Sequence, residues 1–264
     1  MRAIILVPLL LLAACGARYD EAETLRSQGR LVAAAAEYRD FALGNPRDPM
    51  AAKALLAAAD IYAVSLGVCK EAKPLLERLV RQYPDFRVPE DSFRRIFVCP
   101  DYFPTGPGLK WTYGDSQTLG RNARTETEVV DHTSKGAVVK TAFYAGRSLV
   151  SRKKSVYRFG GLDFIEAQGG AETLTLRYPL EQGKSWGSRG PEGRLTFKVE
   201  KTGLAVKVKA GTFQDCVKVS RRAAGIPSWI YEYYAPWTGK ILTSVGGPGY
   251  ENRVTELLSY EEKK

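Results

Sequence analysis

Histidine is almost missing from this chain: His132 is the only one in 264 residues. That leaves no room for a metal site built on several imidazoles, and no metal or cofactor is expected. The four cysteines are too few to build a fold from disulfides. No H-E-x-x-H, C-x-x-C or P-loop run occurs. Aspartate and glutamate are scattered, so a hydrolase working through carboxylates alone has no positive sign, and no catalytic residue is assigned. Beyond the first dozen residues no apolar run approaches the ~18 residues that cross a bilayer as a helix. Hydrophobic residues at 44% and charged residues at 26% exclude wholesale disorder.

The N-terminus is distinctive. It reads MRAIILVPLLLLAAC, with Arg2 as a minimal positive region, an apolar stretch over 3–12, small residues at Ala13 and Ala14, then Cys15. That is the layout of a secretory leader, too short to span. The run Leu12-Ala13-Ala14-Cys15 resembles the lipobox of bacterial lipoproteins. The resemblance implies removal of residues 1–14, diacylglycerol on the Cys15 sulfur and acylation of the new amine. One acyl chain holds a protein only marginally, whereas several on one residue anchor it stably. Gly16 follows the cysteine, which in the Gram-negative pattern implies the outer membrane, facing the periplasm.

Composition changes near residue 100. Residues 15–100 are alanine-rich and carry 13 basic and 12 acidic side chains; residues 101–264 carry 25 and 17, with 21 of the 25 glycines and all four tryptophans. The first part favours helix and the second sheet. Two domains are therefore expected: helical over 15–100 and antiparallel β over 101–264.

Within the first, Gly29 and Gly67 are 38 residues apart, as are Pro46 and Pro84. Between each Gly and Pro lies an amphipathic stretch, with Ala34, Ala35, Tyr38 and Phe41 on one face, and Ala72, Leu75, Leu76 and Leu79 on the other stretch's equivalent. Paired helices of this kind resemble tetratricopeptide (TPR) repeats, with a final helix over 89–98 as a cap. The resemblance implies a concave face for a protein partner; a plain helical hairpin with no groove in use is the alternative.

The second part is a run of short strands split by glycine turns, the mark of antiparallel sheet. Pro104, Gly108 and Trp111 reappear at the same spacing as Pro179, Gly183 and Trp186. With the strand around Cys216 and the turn from Tyr234 to Gly239, these pieces resemble a largely uncharacterised family of bacterial envelope β-domains. That implies a strongly curved sheet or open β-barrel, distantly like periplasmic lipoprotein carriers. The expected class is thus α plus all-β, a short TPR-like repeat followed by an antiparallel curved sheet or open barrel.

Cys69, Cys99 and Cys216 remain after Cys15. An exported protein meets an oxidising compartment. Cys69 would open one helix and Cys99 end another, so a Cys69–Cys99 bridge is expected, with Cys216 a buried strand residue. A catalytic Cys216 would need His132 as its base, and nothing in the sequence brings them together.

The excess of basic residues is densest at Arg152-Lys153-Lys154 and Arg221-Arg222. Alternation on a strand puts Arg152 and Lys154 on one face and Lys153 on the other. Solvated surface is one reading, and attraction to anionic lipid headgroups or an acidic polysaccharide is another. No nucleic-acid partner is expected of an envelope lipoprotein. The expected function is a non-enzymatic scaffold that binds a protein partner through its helices while its Cys15 lipid holds the membrane. The alternative is a periplasmic carrier of lipid or another hydrophobic ligand, taken up inside the sheet.

Overall fold

The computed structural model describes the backbone of residues 9–262 and the side chains of residues 18–262. The leader expected over 1–14 and the lipid site at Cys15 therefore lie outside the described side chains. The chain divides into two compact units, Met1–Pro100 and Asp101–Lys264.

The first unit holds α1 (Leu9–Ser27), α2 (Leu31–Gly44), α3 (Ala51–Asp60) running into a π turn (Ile61–Ser65), α4 (Cys69–Gln82) and α5 (Glu90–Phe97). Gly29 (φ +73°) and Gly67 (φ +66°) take the left-handed conformation that reverses the chain between helices. In the turn leading into α3 the Asp48 carboxylate accepts the Met50 N–H at 2.8 Å. Each helix packs on the next, and all bury small or aliphatic side chains in one core, from Ala22 through Tyr38, Phe41, Leu55 and Leu79 to Ile96. Cys69 is joined to Cys99 by a disulfide, tying the start of α4 to the residues after α5.

The second unit is a single twelve-stranded antiparallel sheet. Its strands are β1 (Lys110–Asp115), β2 (Ala123–Thr133), β3 (Gly136–Ala145), β4 (Ser148–Gly160), β5 (Asp163–Gln168), β6 (Ala171–Arg177), β7 (Ser185–Gly190), β8 (Gly193–Val208), β9 (Gly211–Ala223), β10 (Trp229–Ala235), β11 (Gly239–Gly247) and β12 (Tyr250–Glu261). The order β6-β5-β4-β3-β2-β1-β12-β11-β10-β9-β8-β7 is an up-and-down meander in which the first and last strands pair. The two edges, β6 and β7, are consecutive in sequence. They meet without a backbone ladder: Trp186 Nε1 donates to the Leu174 carbonyl at 3.1 Å, and the Leu174 N–H donates to Ser188 Oγ at 2.8 Å.

The expected fold class needs correction. The molecule is mostly one nearly closed twelve-stranded barrel preceded by a few helices, not a TPR-like repeat followed by a curved sheet or open barrel. The 38-residue spacing of glycines and prolines reports where helices stop, which any run of similar helices shares. A repeat array also needs about three stacked units to bury a continuous core; here five helices and a disulfide close one small core instead. Pairing β1 with β12 and seating β6 against β7 brings the sheet nearly to closure, with the β6 and β7 edges joined through side chains.

Trp186 is the seam's anchor, 4% exposed and stacked on Phe197 with ring centroids 5.5 Å apart. Trp186→Phe keeps most of the packing and deletes the bond to Leu174, leaving a half-buried carbonyl short of a partner. A loss of about 1–2 kcal/mol is expected by urea unfolding, with faster amide exchange along β6. Exchange unchanged in β6 would show that the seam is held by something else.

Candidate functional site

Alternation along the strands builds one wall of a cavity inside the barrel. Trp111 of β1 pairs with Thr127 of β2, Thr127 with Thr141 of β3, and Thr141 with Lys153 of β4. The next row runs Tyr113, Thr125, Phe143. Further along β4, Tyr157 pairs with Glu166 of β5. The opposite wall comes from β10 to β12, where Glu232 pairs with Thr243 and Thr243 with Thr255, while Lys240 lies across from Tyr234. Between the walls is a cavity of about 230 Å³, lined by aromatic rings, five threonines, Lys153, Glu166 and Lys240.

The cavity is polar and charged. Lys240 Nζ bonds Glu232 Oε1 at 3.1 Å, and Tyr234 Oη donates to Glu232 Oε2 at 2.8 Å. Tyr113 Oη donates to the Lys240 carbonyl at 2.9 Å, and Trp111 Nε1 to the Thr238 carbonyl at 2.6 Å. Burial by itself would raise the Glu232 carboxyl, but the charges of Lys240 and Arg221 and the bonds from Tyr234 and Lys240 outweigh it and hold it below the ordinary range. Burial also works against the charge on Lys240, and here Glu232 and Glu166 prevail and raise it. This is a satisfied buried pair.

Glu166 is different. Burial pushes its carboxyl up, and Glu232 pushes it further; Lys240, Lys153 and a hydrogen bond with Thr175 oppose the rise without cancelling it. Glu166 feels both lysines, yet among the described residues it makes no ion pair with either. Lys153 is lowered by burial, partly offset by Glu166. Its ammonium lies 5.2 Å from the centre of the Phe143 ring and reaches Gln168 Oε1 at 3.3 Å. Charges therefore alternate through this part of the barrel, from Lys153 through Glu166 and Lys240 to Glu232.

The neighbouring basic residues take the other face. Arg152 and Lys154 lie outside with Lys110, Glu126, Glu128 and Lys140, in rows of mixed sign that face water. Arg221 bonds Glu192 at 2.9 Å and Arg222 stacks on Trp229, so this second basic cluster is engaged within the fold.

Sequence reasoning names Trp111 and Gly239 in turn motifs and Lys153 in a basic cluster but gives none of them a binding role, and it does not name Glu166, Lys240 or Glu232. The signal was nonetheless present. In Ile230-Tyr-Glu-Tyr-Tyr234, Glu232 occupies the face of Ile230 and Tyr234; in β5, Glu166 follows Phe164 by two. A carboxylate at an inward position of an aromatic strand is costly unless it meets a cation or a ligand.

Other candidates fall away. Cys216 is buried, with its thiol pushed up to about 11 by burial, which suits a packing residue and not a nucleophile. His132 sits exposed on β2. Gly183, Ser185 and Gly187, which sequence reasoning passes over, have the spacing of a serine-hydrolase elbow. They open a strand, β7, whereas that motif needs a strand-to-helix turn, and Ser185 is exposed.

No family model and no curated protein matches the chain. Solved structures that resemble it include a protein of Bacteroides fragilis taken to be exported and described as having a YmcC-like fold, at 14% identity and TM-score 0.43, covering 61% of this chain and 98% of that one. A protein of Parabacteroides distasonis taken to be a lipoprotein gives 14% identity, TM-score 0.40 and the same coverages. The hypothetical protein CT021 of Chlamydia trachomatis gives 11% identity and TM-score 0.34 over 60% and 88%.

Proposed function

We propose that this is a cell-envelope protein that binds a small polar molecule inside its barrel. The envelope assignment rests on the leader and the Cys15 pattern. The binding assignment rests on one observation: Glu166, Lys153 and Lys240 face a common cavity, and Glu166 has no ion-pair partner there. A group left in that condition costs stability, so the site is worth keeping only if something occupies it.

This lining disfavours the hydrophobic carrier expected as an alternative. An acyl chain would strip water from two ammonium groups and a carboxylate and return no hydrogen bonds. The scaffold reading leaned on a TPR-like repeat array, and the helices close one small core instead. A volume of about 230 Å³, the share of roughly seven or eight liquid waters, is on the scale of a small molecule.

The test is thermal-shift screening of the full chain in detergent against small polar metabolites and phospholipids. Polar compounds should raise the melting temperature, and filling the cavity with Thr125→Trp should abolish the shift. Stabilisation by phospholipid alone, unaffected by that substitution, would reverse the assignment.

A further inference from the structure

Resting on the binding reading above, we infer that the cavity takes a zwitterion: a small molecule with one primary ammonium, held by Glu166, and one carboxylate, held by Lys153. The argument is one of charge balance. Lys240 and Glu232 already satisfy each other at 3.1 Å. Glu166 and Lys153 both line the cavity and carry opposite charge without touching. The ligand that gains most in such a place supplies the missing partner to each.

Ligands of a single charge fit less well. A lone anion would neutralise Lys153 and leave Glu166 worse off, because a second negative charge would enter beside it. A lone cation would pair with Glu166 and crowd Lys153 and Lys240. A neutral polyol could bond the threonine and tyrosine hydroxyls of the wall, but it would leave both charges without a counter-ion. The aromatic wall tolerates an ammonium, as Lys153 shows by resting its own over the Phe143 ring. Tyr157, paired across the ladder with Glu166, presents its ring beside the same carboxylate.

Titration calorimetry on the full chain in detergent, near neutral pH, tests this. The probes are glycine, β-alanine, γ-aminobutyrate, propionate, propylammonium and myo-inositol. One of the three amino acids should bind at least tenfold more tightly than propionate, propylammonium or myo-inositol, and the best of the series reports the spacing between the two charges. Glu166→Gln and Lys153→Met should each weaken that amino acid at least tenfold while leaving the far-UV spectrum unchanged. Binding of myo-inositol alone, or amino-acid binding that ignores both substitutions, overturns the zwitterion and leaves a polar-ligand site standing. Silence from all six probes, with no hit among the polar metabolites of the thermal screen, overturns the binding reading itself.

Discussion

Replacing Cys69 and Cys99 by serine should cost the helical unit about 3–4 kcal/mol and move its urea midpoint well below that of the intact protein. The bridge closes a loop with a sequence separation of 30. In the chain-entropy model a cross-link of that span removes about 3.6 kcal/mol of freedom from the unfolded chain. The setting makes the loss hard to absorb. Helix α5 has eight residues, too few to persist without tertiary support. Ile96 is its one fully buried side chain, and its polar link to α3 is the Arg95–Asp60 ion pair at 3.0 Å between partly exposed groups, worth little. Cys99 itself is 1% exposed within the core, so serine also places a hydroxyl among aliphatic groups. Unfolding followed by circular dichroism near 222 nm, with and without reductant, should show the wild type falling to the variant's midpoint on reduction. Coincident midpoints in all samples would mean that the core holds α5 without the bridge.

Local signals in the sequence translated well into local structure, and closure did not. The spacing of Ala34, Ala35, Tyr38 and Phe41 was enough to identify a helix face, because burial every three or four residues has one geometric solution. The two-residue period placed Lys153 apart from Arg152 and Lys154, and in the structure Lys153 lines the cavity, as they do not, although it is itself exposed and also borders the outer cleft beside them. What has no local trace is which distant strands pair. β1 and β12 are separated by nearly the whole second unit, and the contact of β6 with β7 is made by an indole and a hydroxyl instead of a ladder. Without that closure Glu166 and Lys240 are isolated charges on strands far apart in sequence, and the cavity does not exist. The repeat was misread for a related reason. Helix-ending glycines recur wherever helices of similar length follow one another, and only the packing distinguishes an array from a closed core.

The second large effect is expected at Lys240. Lys240→Met removes the cation that Glu232 bonds at 3.1 Å and that Glu166 also feels, leaving two carboxylates facing one another inside the barrel. Breaking a buried pair from one side costs ~3–5 kcal/mol; about 3 is expected here, because the Lys240 side chain keeps 32% of its exposure. Glu166→Gln should act the other way. Its folded pKa is raised above the ordinary 4.5, so the stability linked to its proton is present below 4.5 and lost as pH rises through the raised value. Removing the charge should therefore stabilise the protein at neutral pH, with the gain fading in acid. Glu232 has the opposite sign. Its lowered pKa means stability present above 4.5 and lost as pH falls through the lowered value, so Glu232→Gln should destabilise at neutral pH. The two carboxylates are coupled through Lys240, and combining Lys240→Met with Glu166→Gln should cost less than the sum of the single effects. The Lys240→Met deficit should also shrink toward pH 4, where one carboxyl of the pair takes a proton. A double-mutant cycle by urea unfolding at pH 7 and pH 4 reads all of this. Additive losses that do not change with pH would mean that Glu166 and Glu232 do not share a lysine, and the alternating charges would then be a line of independent side chains.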